Sequence, residues 1–228
     1  MPKHAQTPST ARPLPPDGPA LRVVVIDDDP HILDAFSTLL DMEGYAVQSF
    51  PSAQAYLQAL GRGDAAVAET ECILCDVMMP EIDGLQLQAH LADLGDPSVV
   101  LMSGSSGAQE AIHGFRAGAV DFLLKPIESQ ELLDAVARAV RQTVQQRKAS
   151  QRRQALRHQW ACLSGREREV MHSVASGMTN LGIALTLGIS ERTVKYHRQR
   201  IIEKLGLTGT ADVVRLAQEF EQSSMAHP

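Results

Sequence analysis

From Leu21 onward, short apolar runs alternate with longer stretches in which apolar residues recur every three or four positions. The short runs, at 22–26, 46–50, 72–75, 98–102 and 120–124, have the length and composition of strands. The longer stretches predict helices over 30–43, 52–60, 83–93, 108–117 and 128–147. Strands alternating with helices of about 10–15 residues indicate a parallel α/β sheet. From Trp160 the pattern is helical only, with helices expected at 165–176, 180–187, 191–205 and 211–222 and glycine-bearing turns between them.

Two further stretches complete the organisation. Residues 1–20 hold 6 of the 12 prolines and little apolar content, the composition of a disordered leader. Residues 141–158 are rich in Arg, Lys and Gln and contain no acid, which suggests an extension of the last helix of the α/β region followed by a linker. The expected arrangement is a leader (1–20), an α/β domain (21–140), a helical linker (141–158), an all-α domain (159–222) and a tail (223–228).

Charge sharpens this division. The 228 residues carry a net −6, an unpromising value for a nucleic-acid binder. Residues 1–140, however, hold 7 basic and 20 acidic residues, a net of −13, and residues 141–228 hold 14 and 7, a net of +7. An acidic domain is followed by a basic one. No apolar run approaches the roughly 18–20 residues of a membrane span, and the N-terminus lacks the apolar core of a signal peptide. Three cysteines make no disulfide framework. Cys72 and Cys75 share a C-x-x-C spacing, but on a strand residues three apart point to opposite faces, so both read as buried thiols. A reducing, cytoplasmic setting fits them.

Ligands of open α/β sheets sit beyond the C-terminal ends of the strands. There the chain places Asp27, Asp28 and Asp29 after the first strand and Asp76 after the third. Ser103 and Gly104 follow the fourth, and Lys125 and Pro126 the fifth. Any one of these acids alone is an ordinary helix cap or turn former. Together they are an oxygen-only donor set that suits Mg²⁺, with a hydroxyl and an ammonium to meet phosphoryl oxygens. The chain has no P-loop and no G-x-G-x-x-G, so nothing signals a nucleotide site. A carboxylate that accepts the phosphoryl group covalently is the economical solution.

Four stretches in this order resemble response-regulator receiver domains: Val24-Val25-Ile26-Asp27-Asp28-Asp29, the segment from Cys75-Asp76 through Pro80 to Asp83-Gly84, Val100-Leu101-Met102-Ser103-Gly104, and Ala117-Gly118-Ala119 through Lys125-Pro126. The resemblance implies a flavodoxin-like, five-stranded parallel receiver fold. It implies that Asp76 is the phosphoacceptor and that Asp27 and Asp28 hold Mg²⁺ with Asp76 and the backbone carbonyl of Met78. Ser103 and Lys125 are implied to bind the phosphoryl group, with a cis bond from Lys125 to Pro126, and Phe122 to be the aromatic switch. Asp29 is peripheral in this scheme.

In the basic domain, 179–205 reads as helix, tight turn at Gly188, helix. Val194, Ile201 and Leu205 form an apolar stripe on the second helix; Arg192, Lys195, Tyr196, Arg198, Gln199 and Arg200 take the other faces. Ser190 is a natural N-cap. Trp160, where the linker enters, reads as a packing anchor. The segments 163–170, from Leu163-Ser164-Gly165 to Val170, and 187–206 resemble the LuxR-type helix-turn-helix of NarL/FixJ response regulators. The resemblance implies that Lys195, Tyr196 and Gln199 meet base edges, while Arg192, Thr193, His197, Arg200 and Lys204 meet phosphates. One departure is that Leu181 and Gly182 stand where the family usually has a basic and an acidic residue.

The function this implies is a two-component transcription factor. Its partners would be a sensor histidine kinase, operator DNA, RNA polymerase and a second copy on phosphorylation. The site offers only self-phosphorylation and hydrolysis of its own acyl phosphate, so no further enzyme activity is expected. The rival keeps the fold but makes the receiver an interaction module and the altered helix-turn-helix a protein-binding domain.

Overall fold

The computed structural model describes residues 21–63, 71–92, 97–104 and 108–225. The expected leader and the last residues of the expected tail lie outside them. The chain divides into two compact units, Met1–Gln146 and Arg147–Pro228.

In the first unit, β1 (Arg22–Ile26), β2 (Ala46–Phe50), β3 (Cys72–Asp76), β4 (Ser98–Ser103) and β5 (Asp121–Leu124) pair in parallel in the order β2-β1-β3-β4-β5. This is the flavodoxin-like order, with its switch point between β1 and β3. The helices are α1 (Pro30–Met42), α2 (Ala53–Gly61), α3 (Gly84–Ala92), α4 (Ala108–Arg116) and α5 (Ser129–Ala161). Strand alternation divides the core into two layers. Val24, Ile26, Ile73, Cys75, Val99 and Leu101 pack with Tyr56 of α2 and Leu87 of α3. Val23, Val25, Cys72, Leu74, Val100 and Met102 pack with Leu40 of α1 and Leu132, Val136 and Val140 of α5. Cys72 and Cys75 thus lie on opposite faces of the sheet, and burial pushes both thiols up and keeps them neutral. At Gly114 a Cβ would stand 2.5 Å from Leu101 Cδ1, so any larger residue there would require the Leu101 side chain to move.

The break into a linker after residue 147 is absent: α5 continues to Ala161. The reason is local. Residues 129–161 contain no Gly or Pro, and the Gln, Arg, Lys and Ala that fill the second half are good helix formers.

In the second unit, α6 (Gly165–Ala175), α7 (Asn180–Leu187), α8 (Glu191–Leu205) and α9 (Thr210–Met225) enclose a core of Val170, Met171, Ile183, Val194, Ile201, Val213 and Leu216, joined by Leu156 of α5. Of the expected stripe on α8, Val194 and Ile201 are fully buried, while Leu205 is partly so. Trp160 packs on Phe220, with ring centroids 4.7 Å apart, and edge-on against His172. Ser164 and Glu167 form a complete capping box at the start of α6. Among the described residues no helix is long and apolar enough to cross a membrane.

Candidate phosphoacceptor site and nucleic-acid interface

Parallel strands bring residues far apart in sequence to one rim. Asp27 directly follows β1 and is wholly buried; Asp76 ends β3 at 6% exposure. Lys125, just past β5, places Nζ 2.6 Å from Asp27 Oδ2 and 3.1 Å from Asp76 Oδ2. The Lys125 backbone N–H donates to the Ser103 carbonyl at 2.8 Å, which fixes the end of β5 against β4, and the Lys125–Pro126 bond is cis. Ser103 is fully buried at the end of β4.

Asp27 is positioned in turn by the Asp29 backbone N–H, which donates to its Oδ1 at 2.9 Å. Asp29 itself caps α1, accepting from the His31 N–H at 2.8 Å. Asp28 is exposed. Asp27, Asp28 and Asp76 each offer a carboxylate oxygen, and these oxygens lie within 4.8 Å of one another. This all-oxygen, triply acidic set fits a hard divalent cation such as Mg²⁺. Met78 follows Asp76 by two residues; its backbone N–H faces Asp76 Oδ1 at 3.4 Å and its side chain is 63% exposed. Phe122 on β5 is partly buried against the first core layer.

Burial raises the Asp76 carboxyl above its ordinary value, and the hydrogen bond and charge of Lys125 only partly offset this. Burial also disfavours the Lys125 ammonium, but its hydrogen bonds to Asp27 and Asp76 prevail and raise it overall. Lys125 therefore stays cationic between two carboxylates. A Cβ on Gly84 would meet the Asp76 carbonyl oxygen at 2.5 Å, so only glycine lets α3 begin this close to the rim. Glu81, in the same loop, takes a left-handed φ of 67°, a costly conformation for a non-glycine residue and one that clusters at functional sites.

In the second unit, Gly188 ends α7 with φ 65°, and Ser190 caps α8 by accepting from the Thr193 N–H at 3.1 Å. The turn is tight and presents α8 across α7. Arg192, Lys195, Tyr196, Gln199 and Arg200 are exposed, with Tyr196 at 59%; Thr193 and His197 are half-buried. Two of the basic residues have carboxylate partners within the unit. Lys204 Nζ lies 2.7 Å from Glu167 Oε2, which ties α8 to the capping box of α6, and Arg200 Nη1 lies 2.9 Å from Glu203 Oε2. Lys204 therefore serves the packing of the unit in this structure. Burial disfavours ionisation of Glu167, but its bonds to Lys204 and Ser164 outweigh that and lower its pKa. Arg198 is not among the DNA contacts that the family resemblance implies. It is half-buried, and its Nη1 donates to Asn180 Oδ1 at 3.1 Å.

A doubly wound parallel sheet with an acid-rich rim and a central lysine, followed by a helix-turn-helix, defines a signal receiver joined to a DNA-reading module. Residues 23–137 match the family of response regulator receiver domains, and 161–217 match the luxR family of bacterial regulatory proteins. The chain is 36% identical over 202 residues to the response regulator protein TodT of Pseudomonas putida, covering 88% of this chain and 87% of TodT. It is 34% identical over 196 residues to the transcriptional regulatory protein FixJ of Bradyrhizobium diazoefficiens, covering 86% and 93% of the two chains. The solved structure of the response regulator StyR superposes with a TM-score of 0.75 at 31% identity, covering 88% of this chain and all of that one. The chain belongs to the NarL/FixJ response regulators: it is a two-component transcription regulator with a receiver and a LuxR-type helix-turn-helix domain.

Proposed function

We propose that Asp76 accepts a phosphoryl group from the phosphohistidine of a sensor kinase, and that this acyl phosphate promotes dimerisation and sequence-specific DNA binding. The observation that carries the reading is the convergence of Asp27, Asp28 and Asp76 with the Lys125 ammonium on one rim. An Asp76 carboxylate oxygen attacks phosphorus, the phosphorus–nitrogen bond of the donor breaks, and the leaving imidazole takes up a proton. Lys125 remains charged and is already within hydrogen-bond distance of Asp76, so it meets the added phosphoryl oxygens without rearranging. Asp27, Asp28, Asp76 and the Met78 carbonyl would hold Mg²⁺, which supplies neutralisation of charge on the phosphoryl oxygens when bound. Ser103 would turn its hydroxyl to the phosphoryl group, and Phe122 would follow inward. The chemistry ends at the protein's own acyl phosphate, so the chain acts on no other substrate.

Ile112 and Phe115 of α4 and Leu124 of β5 are each about half exposed, at 51%, 51% and 49%, an apolar surface suited to a second copy of the receiver. On operator DNA the exposed set Lys195, Tyr196 and Gln199 would read bases, with Arg192, Thr193, His197 and Arg200 toward the backbone. RNA polymerase is the expected downstream partner, in the bacterial cytoplasm where the DNA lies. Asp76→Asn should abolish acid-labile phosphorylation and the phosphorylation-dependent rise in DNA affinity; undiminished phosphate uptake would overturn the assignment.

A second reading, a protein-binding output domain, draws on the exposed apolar residues Met178, in the turn before α7, and Leu181 and Leu185 on it. Binding to random duplex that matches every selected sequence across a salt series would favour it.

A further inference from the structure

On α8, Lys195, Arg198, Gln199 and Ile202 follow one another at helical spacing along a single face. With Asn180 at the start of α7 and Thr210 at the start of α9, they line a groove of about 410 Å³. Lys195 and Gln199 are exposed and also belong to the set proposed above to read bases, so the groove adjoins that set.

The charges of α8 separate into two groups. Arg200 is matched by Glu203 and Lys204 by Glu167. Arg192, Lys195 and Arg198 have no carboxylate within ion-pair distance among the described residues. Two of those three line the groove. Arg198 is the more constrained: its Nη1 donates to the neutral oxygen of Asn180, which holds the guanidinium and leaves its charge unmatched. Burial lowers its pKa but cannot discharge a guanidinium. The nearby carboxylates are already engaged. Asp212 accepts from the Thr208 N–H at 3.0 Å and pairs with Arg215, and Glu203 is held by Arg200 and Gln199. Thr210 opens a 16-residue helix whose first backbone N–H groups also favour an anion.

We propose that Arg198 and Lys195, over the first turn of α9, seat one backbone phosphate of bound DNA in this groove, so that Arg198 fixes the register in which its neighbours read bases. The proposal rests on the DNA-binding reading above and adds to it a contact that the sequence pattern did not select. Arg198 is here a positioning residue for base readout as well as a phosphate ligand.

The test is a salt series of the full-length chain on a labelled random-sequence duplex. Arg198→Gln should weaken binding about tenfold and make the slope of log affinity against log salt shallower by about one. Arg198→Lys should restore the slope, and the thermal midpoint should not move in either variant. Thr210→Glu provides a second route, because an acid in the first helical turn favours folding of α9 while repelling a phosphate. It should weaken DNA binding at an unchanged thermal midpoint. If both Arg198→Gln and Thr210→Glu leave slope and affinity as in the wild type, Arg198 only ties α8 to α7 and the proposal fails alone. Protection of the wild type by inorganic phosphate, with an unaltered DNA slope in Arg198→Gln, would assign the groove to a free anion and also overturn it. A wild type without any salt-dependent DNA binding would overturn both this inference and the DNA-binding reading.

Discussion

On the sheet rim, Asp27 and Asp76 are nearly buried and share one lysine before any ligand arrives, whereas the basic groups on the outer face of α8 stand in solvent with part of their charge unmatched. Asp27, Asp76 and Lys125 sit at the ends of three strands of one sheet, and hydrogen bonds fix the lysine to both acids. On α8, Arg192 and Lys195 are exposed side chains on a single helix. The contrast follows from the two tasks. Covalent phosphoryl capture needs fixed geometry in a partly dry site, where electrostatic contacts are strong. Association with a polyanion needs charge that counterions can leave, and rigid pairing would waste it.

The largest expected effect tests whether the rim is really built as a matched set. Lys125→Met leaves two nearly buried carboxylates without their cation, which should cost the first unit about 3 kcal/mol. Urea unfolding in chelator reads it; a loss of less than about 1 kcal/mol would mean that water already screens the rim.

A smaller effect asks whether the second unit also contains one enclosed pair. Glu167 is 4% exposed and bonded to Ser164 and Lys204, so Glu167→Gln should cost about 2 kcal/mol at neutral pH. Its folded pKa lies below its ordinary 4.5, so the stabilisation is present above 4.5 and is lost as pH falls through the lowered value. The gap between wild type and variant in thermal unfolding should therefore close on acidification. A gap that persisted at low pH would assign it to packing.

The smallest effect concerns two helix starts of the same unit. Ser164 and Glu167 cap α6 reciprocally, but at α7 the Thr179 hydroxyl accepts from the Gly182 N–H and Gly182 returns nothing. A Cβ at Gly182 would meet nothing closer than Thr179 Oγ1 at 3.6 Å. Gly182→Glu should raise stability by about 1 kcal/mol in equilibrium unfolding, from helix propensity and a completed capping box.

The elements were legible where local pattern determines them. β1 and β2 run as the apolar runs indicate, and α8 runs from its Ser190 cap to its glycine stop at Gly206. β3 and β4 each extend one residue further, to Asp76 and Ser103, because these polar residues still pair across the sheet with Met102 and Leu124. Apolarity could not reveal that. The rim acids and lysine were legible through family motifs; the contact between Lys125 and Asp27, 98 residues apart, is a product of topology. The partners of the basic residues on α8 were less accessible. Glu203 lies three residues from Arg200, a pairing the helix period allows, but Glu167 reaches Lys204 only through the packing of α6 on α8. The groove beside Arg198 was not legible in the helical period of α8, because Asn180 of α7 and Thr210 of α9 complete it.

Helix α5 carries a last consequence. Val136 and Val140 are buried in the core of the first unit and Leu156 in that of the second, yet every residue from 148 to 155 is exposed. Isolated helices in water are marginal and ordinarily fray at their termini. Here the termini are anchored in apolar cores, while the exposed middle has no buried side chain and is tied by the exposed ion pair of Arg152 with Glu219. Amide protons should exchange soonest at the centre of this 33-residue helix and slowest toward its anchored parts, an inversion of the usual profile.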